Sequence, residues 1–579
     1  MSKIITRTVD TQAFEALRRH GLPPILARIY ASRGIAYAEQ LETELARLIP
    51  YHHIKNIQPM ACILADAIAA GKRLLIVADY DSDGATACAV GIRILRQFGA
   101  IVDYLVPNRF EYGYGLTPEI VELAYTAKQP DILITVDNGI ASIDGVAVAN
   151  ALGMQVLVTD HHLPGDELPD AAAIINPNQP GCSFPSKNIA GVGVIFYLMM
   201  ALRAELRQRG AFLHQEEPNL ASFLDLVALG TVADVVKLDD NNRILVQQGL
   251  KRIRKGAACT GIQALLKVTR RNYAQISTYD LGFILGPRLN AAGRLDDMSL
   301  GIECLITDDP AYAGQIAREL DALNTQRREI ESDMHESALS LLENTLNAEN
   351  GRIQEAHSVC LFDQHWHQGV IGILASRIKE KYHRPTIIFA LGNGDELKGS
   401  GRSIPGFHLR DALDLVSKRY PSLIVKFGGH AAAAGLTIHA DNFVPFCDAF
   451  EETAQALLAP ADLTRVIETD GDLAASEINL ELAQHLTHQV WGQGFPQPSF
   501  HAHFHVEDQR IVGAKHLKLK LKKFDANTQY DAILFFHNDL LPDVISAVYQ
   551  LQLNEFNGRT TLQLMLAYWS KPDEPTAEA

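Results

Sequence analysis

Three short apolar runs in the first third of the chain each end in aspartate. KRLLIVAD stops at Asp79, DILITVD at Asp137 and QVLVTD at Asp160. The first continues as DYDSDG, adding Asp81 and Asp83, and the third runs on into His161 and His162. A fourth apolar run, ALGTVADVV, carries Asp234. Carboxylates and imidazoles hold divalent cations and move protons. So many like charges cannot share a pocket unless something positive lies between them. Carboxylates with one or two imidazoles favour Mn2+ or Mg2+ over zinc or copper. Two such ions about 3.5–4 Å apart suit phosphoester cleavage, where they activate a water, bind the scissile phosphate and stabilise the leaving oxygen. Each segment alone has a plainer reading: DxDxDG as a calcium loop or turn, VDNG as a turn, the HH pair as a surface or capping feature, Asp234 as a helix cap or core ion-pair member. The joint pattern outweighs these, because one architecture brings all four segments together.

That architecture is an open parallel sheet, in which ligands bind outside the carboxyl ends of the strands. KRLLIVAD, AIVDYLVPN, DILITVD, QVLVTD and AAIINPN are short runs rich in Ile, Val and Leu, with helix-like TACAVGIRILRQFG and GVAVANALG between them. Alternating strand and helix predicts a sheet covered on both faces. The chain reads as an α/β multidomain protein. Residues 1–70 are helical, 71–305 the parallel-sheet domain and 306–348 a long connecting helix. Residues 349–460 form a second α/β domain, 461–570 a small β-barrel and 571–579 a disordered tail.

At 579 residues the chain is too long for one core. It shows no apolar run long enough to span a membrane and no signal-peptide core at MSKIITRTVDTQ, which predicts a cytoplasmic protein. Its seven cysteines share no CxxC spacing, so neither a zinc knot nor a disulfide framework is indicated. Net charge is −16, which sets a condition: any polyanion site must be basic locally.

VADYDSDGATA, TVDNGI, VTDHHLP and GTVADVV resemble, in order, the four motifs of the DHH phosphoesterase superfamily, and FGGHAAAAGL resembles the GGH signature of its DHHA1 domain. The long helix, the PNRFEYGYGL and RLNAAGR segments and the extra β region are similar to the RecJ family of single-strand-specific 5′→3′ exonucleases. The resemblance covers nearly the whole chain.

It implies metal ligands at Asp81, Asp83, Asp137, His161 and Asp234, with Asp137 bridging. Asp79 and Asp160 match motif positions as ligands or as groups that orient ligands, and His162 is implied to contact the scissile phosphate. Neighbouring residues leave a strand end in different directions, so one imidazole can bind metal while the other faces substrate. The second α/β domain is expected to close over the first. In LKGSGRSIPG, Ser400, Ser403 and the Arg402 fork suit a terminal phosphate. Arg109 and Arg288 match family segments and are candidates for the same pocket. Each has the alternative of a surface ion pair. Tyr112 and Tyr114 are candidates for base stacking, or packing anchors. His430 follows two glycines that let backbone approach nucleic acid; the plainer reading of GGH is a tight turn before a helix. In KHLKLKLKKF, alternation puts Lys518, Lys520 and Lys522 on one face, as a track for single strands or as a lysine-protected edge. Lys251, Arg252, Arg254 and Lys255 form a further basic cluster.

The expected function is 5′→3′ exonuclease action on single-stranded DNA, with two Mn2+ or Mg2+ ions, releasing 5′-mononucleotides in recombination and repair. The two α/β domains are expected to leave passage for one strand but not for a duplex. The resemblance implies a single-strand-binding protein and a helicase as partners of a monomer. The alternatives are another DHH phosphodiesterase, acting on oligoribonucleotides or cyclic dinucleotides, and a non-catalytic nucleic-acid-binding protein.

Overall fold

The computed structural model describes residues 2–108, 112, 115–349, 356–513, 515–524, 527–556 and 559–572. The chain forms two compact units. One is Thr6–Leu323 with the described residues from Thr469 onward, the other Asn324–Glu468 with Ser2–Ile5.

In the first unit a parallel sheet runs in the order Ile101–Leu105, Arg73–Ala78, Ile132–Val136, Gln155–Thr159, Ala173–Ile175. Every residue of Ile132–Val136 is buried, as befits a strand covered on both faces. Ile76 and Ile134 face a core shared with the helices Ser82–Gln97 and Gly191–Gln208. Leu75 and Leu133 face a second core with Pro118–Lys128 and Ile143–Ala151. Small residues let Ser82–Gln97 sit close to the sheet: a Cβ on Gly91 would come within 2.7 Å of Ile76 Cδ1. From Arg73–Ala78 the chain moves to one side, then returns to the other, so strand order reverses between Arg73–Ala78 and Ile132–Val136. Ligand crevices form at such a reversal.

The same unit contains a closed barrel of Phe500–Val512, His516–Lys523, Gln529–Phe535, Arg559–Ser570 and Val544–Phe556. Phe500, Phe504, Leu517, Leu519, Leu521 and Tyr549 fill it, alternating with outward polar residues. Asp470, just before the barrel, pairs in a two-pronged hydrogen bond with Arg33 of the N-terminal helical region, and both side chains are only 1% exposed.

In the second unit the sheet order is Val359–Phe362, Thr386–Leu391, Glu396–Arg402, Ala433–His439, Lys426–Gly429, with the first pair parallel and the rest antiparallel. Phe389, Phe446 and Phe450 anchor its own core. The helix Pro310–Glu349 has 40 residues, about 60 Å at 1.5 Å per residue. Among the described residues no helix is long and apolar enough to cross a membrane.

Two expectations are corrected by the structure. The N-terminal region is not purely helical: Ser2–Thr6 is a strand paired with Arg465–Thr469. Its β-branched IIT run finds a partner only at the far end of the chain, which local pattern cannot supply. GGH does not lead into a helix but forms the tight hairpin between Lys426–Gly429 and Ala433–His439.

Candidate metal centre

Register places the first three aspartates side by side. Ala78 pairs with Val136 and Val136 with Thr159, so the next residues, Asp79, Asp137 and Asp160, leave adjacent strand ends together. All three are buried. Asp137 adopts φ +63°, a left-handed conformation uncommon outside glycine. Gly191 makes room for it: a Cβ there would lie 2.6 Å from Asp137 Cβ and 2.8 Å from its Oδ1.

The DSDG turn is held by backbone. Asp81 caps the helix Ser82–Gln97, its Oδ1 accepting N–H bonds from Asp83 at 2.8 Å and Gly84 at 3.0 Å. Asp83 lies in the first helical turn and is fully buried. Its carboxylate accepts the N–H groups of Gly191 at 2.6 Å and Val192 at 2.9 Å, at the N-terminus of Gly191–Gln208, where the helix dipole favours negative charge. Asp234 arrives from a helix rather than a strand end: it is the C-cap of Leu224–Ala233, which packs on Ser82–Gln97.

The two histidines diverge. His161 Nε2 lies 2.9 Å from Asp137 Oδ1, 3.5 Å from Asp234 Oδ2 and 3.9 Å from Asp83 Oδ2. The more exposed His162 hydrogen-bonds through Nδ1 to Asp160 Oδ1 at 2.8 Å. Asp160 also accepts the N–H groups of Ile140, His161 and His162, so its oxygens organise the turn.

Ligand-type atoms fall within 4.8 Å of one another in three sets: Asp79, Asp81 and Asp137; Asp83, His161 and Asp234; Asp137, His161 and His162. Asp137 is common to two of them. Burial, and then the neighbouring carboxylates, raise Asp137 and Asp234 well above the usual carboxylate range. Burial and Asp81 raise Asp83 to about 7 against its two backbone hydrogen bonds. Asp160 goes the other way: burial opposes its charge, but the His162 hydrogen bond, both imidazoles and the Ile140 N–H outweigh it and lower the pKa. His162 is correspondingly raised, since Asp160, Asp79 and Asp81 outweigh the burial that opposes its charge.

Other candidate residues lie apart from this cluster in the sequence. In the second unit, strand alternation puts Ser400 and Arg402 on one face of Glu396–Arg402, with Arg402 Nη1 donating to Ser400 Oγ at 3.2 Å and Gly401 O at 2.8 Å. Gly372, in the first turn of Ile371–Tyr382, abuts both: a Cβ would lie 2.9 Å from Ser400 Oγ and from Arg402 Nη2. An arginine, a hydroxyl and a helix N-terminus at one spot suit an anion. Ser403 has the opposite parity, and its hydroxyl donates to Phe407 O at 2.7 Å, closing the turn instead of facing Arg402. His430 is exposed in the GGH hairpin, its N–H donating to Ala433 O. In the first unit Arg288 is ion-paired to Asp321 at 2.8 Å. Lys518, Lys520 and Lys522 share the outer barrel face, but Lys520 pairs with Asp531 at 3.0 Å, which breaks the basic row. Tyr112 packs against the second sheet core, while Arg109 and Tyr114 lie outside the described residues.

Three family models match: "DHH family, N-terminal domain" at residues 73–231, "DHHA1 domain" at 355–456 and "RecJ OB domain" at 469–568. The single-stranded-DNA-specific exonuclease RecJ of Escherichia coli K12 is 49% identical over 94% of this chain and 95% of its own length. The chain belongs to the RecJ family. A crystal structure of RecJ with Mn2+ from Thermus thermophilus superposes with a TM-score of 0.80 at 28% identity, covering 99% of this chain and 79% of that one. The Mg2+ complex of RecJ from the same organism gives 0.74 at 26% identity, over 99% and 78%.

The residues of this RecJ-family chain fit divalent cations on their own chemistry. The donors are carboxylates and an imidazole, and burial together with the neighbouring carboxylates raises the pKa values of Asp137 and Asp234. Nothing among the described residues donates a hydrogen bond to the buried Asp234 Oδ2. Sequence reasoning missed the residues that aim these groups. Asn290 Oδ1 accepts the Ser82 N–H at 2.8 Å. Asn176 and Asn178 donate to the backbone oxygens of His162 and His161. Gly191 and Val192 hold Asp83. The small-residue run IAGVGV ahead of a helix was the one available signal.

Proposed function

We propose that this chain is a divalent-cation-dependent exonuclease that removes 5′-mononucleotides from single-stranded DNA in the 5′→3′ direction. The observation that carries this is the convergence of Asp79, Asp81, Asp83, Asp137, His161 and Asp234 on overlapping ligand sets, with Asp137 common to two of them. Asp81, Asp83, Asp137, His161 and Asp234 would hold the ions, with Asp137 placed to serve both. Two Mn2+ or Mg2+ ions, when bound, supply the Lewis acidity that lowers the pKa of an attacking water and offsets charge on the phosphate and the departing 3′ oxygen.

The chain's own groups do the positioning. His162, whose protonated form Asp160 favours, donates a hydrogen bond to a non-bridging oxygen of the scissile phosphate as charge builds there. Asp160 fixes the imidazole's orientation through Nδ1, leaving Nε2 toward substrate. Asp79, grouped with Asp81 and Asp137, is a further ligand or orients one. Arg402 and Ser400 take the strand's terminal 5′ phosphate, which sets polarity, and His430, Arg109, Tyr114 and Arg288 are further substrate contacts. Water oxygen bonds to phosphorus, the phosphorus–O3′ bond breaks, and the 3′ oxygen takes up a proton.

The family relation supports work in DNA recombination and repair beside a single-strand-binding protein and a helicase, by a cytoplasmic monomer. The OB match weighs against a short DHH phosphodiesterase, and the intact ligand set weighs against a silent binding protein. The test is digestion of 5′- and 3′-labelled oligonucleotides with Mn2+, Mg2+ or EDTA. Asp83→Ala is the control, and blunt duplex the comparison. Release of label from 3′ ends first, or equal rates on duplex, refutes the reading.

A further inference from the structure

Outside the metal pocket, one surface joins exposed aromatic rings to exposed cations. Tyr279 and Phe283 stack at 5.0 Å between centroids, yet are 51% and 68% exposed. Tyr273, 52% exposed, stands close to Gly256. Tyr279 and Phe283 project from a continuous helical run, Thr278–Asp280, Leu281–Leu285 and Gly286–Leu295. Large exposed rings are expensive to leave in water, and a stacked pair contributes little to a core it does not enter.

The surroundings are basic. Lys251, Lys255, Lys267, Arg270 and Arg271 are all exposed, on elements that pack around the same segment. Arg254 Nε donates to Ile276 O at 2.8 Å, tying that basic helix to the strip leading into Tyr279. The facing acids are Asp280, paired with Arg271 at 3.5 Å, and Glu555, bonded by Gln275. In a chain of net charge −16 this is a local positive island. It meets the condition that acidic total imposes on a polyanion site.

Its placement ties it to the reaction. A Cβ on Gly282 would lie 3.2 Å from Val232 Cγ1, and one on Gly286 3.1 Å from Ala233 Cβ. Val232 and Ala233 lead directly into Asp234. Phe283 therefore lies on the helical run that packs against the helix ending in Asp234. Further along the same run, Asn290 holds the Ser82 N–H.

We propose that Tyr279 and Phe283 are a stacking platform for bases of the single strand beyond the scissile nucleotide, with Lys251, Lys255, Lys267 and Arg270 neutralising its backbone. Aromatic faces interleaved with cations bind single strands without regard to sequence, since every base has a π face. The inference rests on the proposed nuclease reading for the identity of the strand, but its test does not need turnover.

The experiment measures affinity of the full chain, in EDTA, for a fluorescent oligothymidylate and for an abasic oligonucleotide of equal length. Tyr279→Ala and Phe283→Ala each weaken oligothymidylate binding about tenfold and leave abasic binding within twofold. Phe283→Trp restores affinity. Lys255→Ala with Arg270→Ala weakens both ligands alike and flattens the salt dependence. Equal losses on both oligonucleotides, or unchanged affinity for either, overturn the proposal. So does a patch that ignores DNA but binds an acidic peptide. Failure of the parent chain to cleave DNA with Mn2+ would sink the nuclease reading separately.

Discussion

Stripping divalent cations from the pocket destabilises the first unit, and more so as pH rises. The burial of Asp83 and its neighbour Asp81 raise the Asp83 pKa to about 7 without metal, against an ordinary aspartate near 3.8. A group whose folded pKa is raised gives stability that is fully present below its unfolded pKa and lost as pH climbs through the folded value. The window is therefore about pH 4 to pH 7. Three pH units at 1.36 kcal/mol each give a loss of about 4 kcal/mol. Asp137 and Asp234 shift in the same direction. Between pH 5 and pH 8 only the two pH units from pH 5 to pH 7 contribute, about 3 kcal/mol. A unit of several hundred residues moves about 1–2 °C per kcal/mol, so the EDTA-treated protein should melt about 3–6 °C lower at pH 8 than at pH 5. With saturating Mn2+ the carboxylates face cations, and the melting temperature should hardly change over that range. The assay is differential scanning fluorimetry across pH, with and without Mn2+, on wild type and Asp83→Asn. The variant should lose much of the slope and of the Mn2+ response. A metal-free melting temperature that is flat or rises from pH 5 to pH 8 would refute the reasoning.

Three further outcomes follow from the same geometry. Asp470→Ala leaves buried Arg33 without its carboxylate and should lower stability by about 3–5 kcal/mol, seen in thermal melts and as faster proteolysis ahead of the barrel. Gly191→Ala drives a methyl into Asp137; an ångström-scale displacement there should reduce Mn2+-dependent turnover about 10²-fold, while circular dichroism stays unchanged. Arg402→Ala should lower kcat/KM on 5′-phosphorylated strands roughly 10- to 100-fold, with little change on 5′-hydroxyl strands. Equal effects on both would place the phosphate elsewhere.

The strand-end aspartates were legible because a buried parallel strand is a short apolar run, and its carboxyl end is where a parallel sheet binds ligands. Asp234 was legible as a residue, with a helix cap among its plainer readings, but the helix that it caps was not. LDLVALGTVA is apolar on every side, so its pattern does not separate a buried helix from a buried strand. The barrel's Lys/Leu alternation read correctly, but the pairing of Lys520 with Asp531 depends on a neighbouring strand's register. Ser403 could have been set apart on parity, since Gly399 and Gly401 alternate with Ser400 and Arg402 along one strand and Ser403 follows its end with the glycines' parity. The strand Ser2–Thr6 and the Gly191 contact were hidden for a different reason: both are fixed by parts of the chain remote in sequence.

The pocket also shows how a fold keeps an acid cluster ready for cations without neutralising it. An arginine beside each aspartate would hold the carboxylates in place but cancel the charge the cations need. Backbone donors avoid this. Asp81 is gripped by the first turn of its own helix, Asp83 by the first turn of another, and Asp160 by the N–H groups of Ile140, His161 and His162. Peptide dipoles fix position while leaving net charge almost intact. Burial, and then the residual repulsion, raise the pKa values of Asp83, Asp137 and Asp234. The one carboxylate lowered instead is Asp160, which lies in none of the three ligand sets and faces His162. Burial and mutual repulsion thus raise Asp83, Asp137 and Asp234, whereas the partner imidazole lowers Asp160.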